Sequence, residues 1–249
     1  MTKSYSKGGE SGTITLSPSK LNVLKECARC FWLENVKGRK RPSGPFPSLP
    51  RGIDTTLKTH YDNYRGSVTP EIVGKVPGVL LKDQVKLNAW REWRTGAFAY
   101  RDSKLDVFVR GALDDCLVDG DFYMPFDYKT KNAAPKTDGS EYYQVQLDCY
   151  SLFFRELGLK TNGKGFLAYY FPLGVAQPSE GEVSKVVPYD FGCQVFELKC
   201  DTSRAEAMIV AAVAVIRMKT PPAPDPDCDF CKFVVTAARE CAAPAPVAA

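Results

Sequence analysis

The sequence has no apolar run of the roughly 18 residues that a membrane-spanning helix needs. Its first residues lack the apolar segment of a signal peptide. No Gly-x-x-x-x-Gly-Lys-Ser/Thr loop is present, which argues against a helicase motor, and no internal repeat is found. We therefore expect a cytoplasmic protein with no membrane partner.

The residues that are present suffice for one large domain. The chain has 249 residues, and 44% of them are hydrophobic, which is enough to bury a core. We expect a disordered lead over residues 1–13, a single domain over 14–241 and a disordered tail over 242–249. The net charge of +4 permits a nucleic-acid partner without requiring one.

Hydrophobic periodicity and chain breakers predict helices and strands in mixed order. A helix over 17–36 begins with Ser17 as N-cap and Pro18 at its first position, and a basic, Pro/Gly-rich loop follows. Further helices are predicted over 53–65, 81–93, 140–157 and 203–219, and strands in a hairpin at 109–131, at 164–172 and at 193–200. This order indicates an α/β or α+β fold with a central sheet flanked by helices.

The predicted hairpin holds five aspartates and two lysines, although strands are poor in carboxylates. Side chains two apart share a face of a strand, so Asp127 and Lys129 point the same way, and the turn brings Asp114 close to Asp127. Two neighbouring carboxylates repel each other unless a cation lies between them. A lysine would neutralise one of them and a divalent metal such as Mg²⁺ would neutralise both. A solvated edge hairpin with a surface salt bridge is the alternative.

Other polar residues are ambiguous on their own. The lone histidine, His60, fits a structural role better than a metal site when taken alone. Gln146 and Tyr150 lie four residues apart on one face of a predicted helix, and such pairs more often pack than react. The basic loop would either contact phosphates or form a solvated surface; its residues are Lys37, Arg39, Lys40 and Arg41.

Nine cysteines without an export signal argue against a disulfide framework. Four of them lie scattered in predicted strands and helices, as core cysteines do; they are Cys116, Cys149, Cys193 and Cys200. The others form the pairs Cys27-x-x-Cys30 and Cys228-x-x-Cys231, with Cys241 further along. Two converging pairs of this kind suit tetrahedral Zn²⁺.

Five short motifs, taken in order, resemble the RecB-type branch of the PD-(D/E)XK nuclease superfamily. They are LSPSKLNVLKECARCFWL in the first helix, RGIDTTLKTH with His60, RGALDD with Asp114, FDYKTK with Asp127 and Lys129, and QLDCY with Gln146 and Tyr150. The resemblance covers nearly the whole predicted domain. It implies a restriction-endonuclease-like core, with a central mixed sheet of four to five strands flanked by helices.

The resemblance also implies a chemistry, namely Mg²⁺- or Mn²⁺-dependent hydrolysis of DNA phosphodiester bonds. It implies an exonuclease that acts on single strands or free ends, in DNA repair, recombination or CRISPR- and phage-related processing. The implied catalytic residues are Lys129, Asp114, Asp127, Gln146 and Tyr150. The implied metal ligands are His60, Asp114, Asp127 and the backbone carbonyl of Tyr128. Asp115 receives no role, because it faces away from Asp114.

One branch of this family carries a [4Fe-4S] cluster, with one ligand from the N-terminal helix and three from the C-terminal end. The resemblance therefore implies a cluster on Cys27, Cys228 and Cys231, with Cys30 or Cys241 as the fourth ligand, and Zn²⁺ as the alternative. In either case the two ends of the domain should meet.

The competing interpretation is a DNA-binding module without catalysis, or a structural subunit that works with protein partners in a larger DNA-processing complex. Inactive relatives typically lose the lysine or a carboxylate. This sequence keeps Asp114, Asp127 and Lys129, which favours the enzyme.

Overall fold

The computed structural model describes residues 12–42, 48–175 and 189–242, so most of the predicted lead and tail lie outside the described residues. It has the predicted α/β fold, with mixed sheets flanked by helices. The helices are α1 (Pro18–Glu26), α2 (Ala28–Lys37), α3 (Ser48–Asp62), α4 (Gln84–Arg91), α5 (Ser140–Glu156), α6 (Thr202–Ile216) and α7 (Asp229–Ala242). The strands are β1 (Ile14–Leu16), β2 (Val79–Leu80), β3 (Ala99–Asp102), β4 (Val107–Arg110), β5 (Asp115–Asp119), β6 (Phe122–Thr130), β7 (Lys164–Val175) and β8 (Tyr189–Lys199).

The first predicted helix is in fact two helices. As expected, Ser17 caps α1, where its Oγ accepts a hydrogen bond from the backbone N–H of Lys20 at 3.3 Å, and Pro18 is the first helical residue. Cys27 then adopts an extended backbone (φ −165°, ψ 111°), which ends α1 and begins α2. Gly38 closes α2 with φ +67°, a conformation that glycine adopts without strain. The prediction of one helix was wrong because apolar periodicity gives no signal for a single extended residue.

The five-stranded sheet has the order β2-β5-β6-β7-β8. β5 and β6 form the predicted hairpin, which is antiparallel and turns at Gly120, where φ is +55°. β6 and β7 are parallel, with Asp127 opposite Leu167. Parallel neighbours need a crossover connection, and α5 lies between these two strands in the chain. The remaining pairs of the sheet are antiparallel, which makes the sheet mixed.

The two faces of this sheet are covered by different helices. Phe126 and Tyr128 of β6 pack with Tyr61 of α3 in one buried cluster. Leu167 of β7 packs with Leu147 of α5 in another. Because side chains alternate along a strand, Asp127 faces α5 while its two neighbours face α3.

The chain divides into two compact units, each described here by itself. The first contains the described residues of Met1–Gly44, Arg101–Val109 and Ala207–Ala249; the second contains those of Pro45–Tyr100 and Arg110–Glu206, with the five-stranded sheet. The other sheet has three strands in the order β1-β4-β3. Its parallel β1–β4 pairing, with Ile14 opposite Val107, lies in the first unit. A single domain over 14–241 stays a prediction.

Two helices differ from the sequence-based expectation. α3 begins at Ser48 and not at residue 53, and it carries Pro50 in its first turn, where the missing N–H costs no hydrogen bond. α7, which carries Cys231, was not predicted at all. Among the described residues, no helix is both long and apolar enough to cross a membrane.

Candidate functional site

A carboxylate and a lysine share one face of β6. Asp127 is fully buried, and the Lys129 Nζ lies 2.5 Å from its Oδ2. That contact does not have the angles of a hydrogen bond, so Oδ2 accepts none from the described residues. The sequence predicted that these two side chains point the same way, and in the structure they form an ion pair.

Asp114 lies immediately before β5 and interacts directly with Asp127. Burial raises the pKa of Asp127 to about 8; the charge of Lys129 opposes this rise and the charge of Asp114 adds to it. For Asp114, burial also raises the pKa, but the charges of Lys129 and Lys58 outweigh it, so that its pKa is lowered. At neutral pH the pair therefore holds one proton, which is carried mainly by the more deeply buried Asp127.

Helix α5 holds the Oδ1 atom of Asp127 through a hydrogen bond. Gln146 Nε2 donates to Asp127 Oδ1 at 2.8 Å and to the Tyr150 hydroxyl at 2.9 Å, and that hydroxyl donates to the carbonyl of Ala112 at 2.6 Å. Gly111 lies against Tyr150, where a Cβ would come within 2.7 Å of the ring. The predicted Gln146 and Tyr150 thus connect Asp127 to the segment that leads into Asp114.

Helix α3 supplies a residue that the sequence reading missed. Lys58 Nζ lies 2.9 Å from Asp114 Oδ1 and 3.0 Å from Asp54 Oδ2. Asp54 and Lys58 are four residues apart, so they lie on one helix face. That spacing was a readable signal for a helix-surface ion pair, but nothing in it pointed to Asp114.

His60 does not join Asp114 and Asp127 as predicted. Its Nε2 lies 3.0 Å from Glu71 Oε1, and the Tyr170 hydroxyl donates to the same oxygen at 2.6 Å. His60 follows Lys58 by two residues, which turns its side chain by about 200° around the helix. Among the described residues, no group of three carboxylate, histidine or cysteine ligands includes His60 with these two aspartates. The histidine ligand therefore stays a prediction, with His60 bonded to Glu71 in this structure.

Asp115 and the Tyr128 side chain belong to a separate buried network on the α3 face. Arg65 donates two hydrogen bonds to Asp115, at 2.6 and 2.5 Å, and the Tyr128 hydroxyl donates to it at 2.6 Å. Arg91 lies 3.6 Å from the same carboxylate. Asp115 thus faces away from the Asp114–Asp127 pair, and the backbone carbonyl of Tyr128 stays a predicted ligand.

In the other unit, four cysteine sulfurs meet. All four Sγ atoms lie within 4.8 Å of one another and all four residues are buried. The Sγ–Sγ distances are 3.8 Å for Cys27–Cys231, 3.6 Å for Cys30–Cys228 and 3.7 Å for Cys30–Cys231. Cys241 is exposed on α7 and lies outside the group, so Cys30 is the fourth member. The N- and C-terminal pairs meet as predicted.

The surroundings of this cysteine group act unequally on its thiols: burial raises the pKa of Cys30 and of Cys231, whereas the pKa of Cys27 is lowered. Burial raises the pKa of Cys27, but hydrogen bonds from the backbone at Asp225 and Cys30 and from the other thiols lower it to about 7. Arg41 donates to Cys228 Sγ at 3.7 Å, pairs with Glu26 and stacks on Phe230. Arg41 therefore contacts the cysteine group, and does not face solvent as a phosphate-binding residue of the basic loop would. The other three basic residues of the loop are exposed; they are Lys37, Arg39 and Lys40.

The remaining cysteines behave as core residues. Three of them are buried, namely Cys116, Cys149 and Cys200. Cys193 is partly buried and packs against the cluster that contains Tyr61 of α3.

A family model for the PD-(D/E)XK nuclease superfamily matches residues 59–235, which is more than half of the chain. The chain belongs to the PD-(D/E)XK nuclease superfamily. Its fold and membership of the nuclease family are thereby confirmed, and the family implies a nuclease that acts on nucleic acid. No curated protein matches the chain.

The matched region of this nuclease superfamily member contains Asp114, Asp127 and Lys129. It begins one residue after Lys58 and therefore leaves out the α3 residue that contacts Asp114. It also leaves out Cys27 and Cys30, so the family match says nothing about the N-terminal half of the cysteine group.

Proposed function

We propose that the protein is a divalent-metal-dependent deoxyribonuclease that hydrolyses phosphodiester bonds, with single strands or free DNA ends as substrate. One observation carries the proposal: a carboxylate pair, one member fully buried, next to the ammonium group of Lys129. An exonuclease mode in DNA repair, recombination or phage-related processing is part of the proposal and rests on the family alone.

The donor set fits a hard divalent cation. Asp127 Oδ2 is buried without a hydrogen bond, and burial with a neighbouring carboxylate holds a proton on the pair. A divalent cation would replace that proton and relieve the repulsion. Asp114 and Asp127 would hold Mg²⁺ or Mn²⁺, with the Tyr128 carbonyl as a further ligand. His60, which is bonded to Glu71, is not among the ligands that we propose. When bound there, such an ion lowers the pKa of water and polarises the phosphate.

The side chains around the pair have separate tasks. Lys129 orients the attacking water and stabilises the negative charge that develops on the phosphate. Gln146 holds Asp127 in place, and Tyr150 holds Gln146 by its bond to the Ala112 carbonyl. These supports fix the carboxylate before substrate arrives, which lowers the reorganisation needed during the reaction.

Cleavage of end-labelled DNA tests the proposal. Single- and double-stranded substrates with free and blocked ends are incubated with Mg²⁺, Mn²⁺ or EDTA. Replacing Lys129 by alanine removes transition-state stabilisation, and we expect a loss of about 100-fold or more, with DNA binding largely kept. Activity that survives in EDTA, or an equally active Lys129→Ala protein, would rule out this mechanism. DNA binding without any cleavage would favour the non-catalytic module.

For the cysteine group we propose a single tetrahedral ion, zinc, in place of the [4Fe-4S] cluster that the resemblance implied. Three of the Sγ–Sγ distances are 3.6–3.8 Å, and all four Sγ atoms lie within 4.8 Å of one another. Four thiolates about 2.3 Å from one Zn²⁺ in a tetrahedron lie about 3.8 Å apart. A four-iron cluster lies between its ligand sulfurs and needs them further apart. The ion would tie the N-terminal helices to α7 and stabilise the first unit.

Anaerobic purification followed by metal and sulfide analysis distinguishes the two cofactors. One equivalent of zinc in a colourless protein supports the proposal. A brown protein with about four irons and acid-labile sulfide would establish the cluster instead.

A further inference from the structure

Lys58 lies at the carboxylate pair of the proposed nuclease site, although no sequence motif assigned it. Its Nζ contacts Asp114 Oδ1 at 2.9 Å, and its side chain is about one-third exposed, at 31%. The Lys58 side chain therefore contacts the pair through its ammonium group and is also partly open to the solvent from which a substrate would arrive.

The hydrogen-bond partners of the pair leave few oxygens for metal ions. Lys58 pairs with Asp114 Oδ1, and Gln146 donates to Asp127 Oδ1. The other oxygen of Asp127, Oδ2, lies 2.5 Å from the Lys129 ammonium group, and the carboxyl groups of Asp114 and Asp127 interact with each other. A cation that replaces the proton of the pair would find one oxygen on each aspartate. Mg²⁺ is commonly held by one or two carboxylates and fills its other positions with water and phosphate oxygens. Two carboxylate oxygens match one such ion.

The ligands that a second ion would need are elsewhere. His60 is bonded to Glu71 on another face of α3, and the third carboxylate near the pair, Asp54, is bonded to Lys58. Among the described residues, no histidine, cysteine or further carboxylate forms a three-ligand group with Asp114 and Asp127.

From these contacts we infer that Lys58 is a positioning residue of the site. It orients Asp114 and supplies the positive charge that a second ion would otherwise supply. The site then takes one divalent cation. The inference rests on the proposed function. Lys58 contacts Asp114, and Lys129 contacts Asp127. A phosphate bound at the single ion would therefore have one ammonium group on each side.

The inference is tested first on free protein, without DNA. Bound Mn²⁺ is counted by electron paramagnetic resonance, with Asp127→Asn as the background that lacks the site. We expect one ion per wild-type chain. In Lys58→Met a unit positive charge a few ångströms away is removed, so Mn²⁺ should bind about tenfold more tightly or better. Lys58→Arg should stay close to the wild type. Lys160→Met is the matched control, because Lys160 is an exposed lysine paired with Asp121 at 2.9 Å.

Single-turnover DNA cleavage at saturating Mn²⁺ gives the second measurement. Lys58→Met should cleave about tenfold more slowly or worse despite its tighter metal binding, Lys58→Arg should retain most of the rate, and Lys160→Met all of it. A merely structural lysine would weaken metal binding and cleavage together, and thermal melting checks that the variants fold.

Two ions in the wild type, Mn²⁺ affinity that is unchanged or weaker in Lys58→Met, or undiminished cleavage by that variant would each overturn the inference. If the wild type cleaves no DNA at all, the proposed function fails. The Mn²⁺ counts and affinities then still decide whether Lys58 limits the site to one cation.

Discussion

Metal binding at the carboxylate pair should release a proton near neutral pH. Burial, with Asp114 as neighbour, raises the pKa of Asp127 to about 8. A divalent cation needs the ionised carboxylate, so its binding must displace the proton that the pair holds. With that pKa we expect release of close to one proton at pH 7, falling towards zero as the pH rises through about 8.

Isothermal titration calorimetry with Mn²⁺ measures this release directly. The binding enthalpy is determined at fixed pH in buffers of different ionisation enthalpy, and its slope gives the number of protons released. Asp127→Asn serves as the control, since an amide carries no such proton and should neither bind the ion well nor release a proton. A slope of zero at pH 7 in the wild type would show that both carboxylates are already ionised and would refute the electrostatic reasoning.

The same pKa has a consequence for the metal-free protein. The folded-state pKa of Asp127 lies above the value of about 3.9 for an exposed aspartate, so the folded state binds the proton more tightly than the unfolded chain. The stability from this group is fully present below about pH 4 and is lost as pH rises through about 8. Saturating Mg²⁺ should remove this loss in urea unfolding measured at pH 6 and pH 8.

Three further changes test other parts of the structure. Cys228→Ser should release the proposed zinc ion and lower the melting temperature, while Cys241→Ser, whose thiol is exposed and outside the group, should do neither. Arg65→Ala should cost about 3 kcal/mol in urea unfolding, because it leaves the fully buried Asp115 with weaker partners; a cost below 1 kcal/mol would contradict this. Gly111→Ala should slow DNA cleavage without loss of folding, because its Cβ would collide with a tyrosine ring that supports the site; a cleavage rate equal to the wild type would contradict it.

Local sequence patterns predicted the parts of the site that lie on one strand or one helix. The two-residue period of β6 placed Asp127 and Lys129 together, and the four-residue period of α5 placed Gln146 beside Tyr150. The two C-x-x-C pairs likewise preset each half of the cysteine group. In all three cases the geometry between the residues is fixed by the repeat of a single element.

The parts that the sequence did not predict depend on how one element is rotated against another. The sequence places His60 and Lys58 two residues apart on α3, and either face of that helix would suit an amphipathic pattern. The structure turns Tyr61 into the core beneath β6, and this fixes the rotation of α3. That rotation brings Lys58 to Asp114 and leaves His60 with Glu71.

The packing that sets the rotation of α3 involves the strand that also carries Asp127 and Lys129. Tyr61 stacks on Tyr128 with ring centroids 4.4 Å apart, and Tyr128 is the residue between Asp127 and Lys129. The same strand thus contacts α3 by one face and presents Asp127 and Lys129 on the other. A one-residue shift of β6 would exchange the two faces. The register of β6 therefore sets both the aromatic packing against α3 and the position of Asp127, and a change that disturbs one of them should also disturb the other.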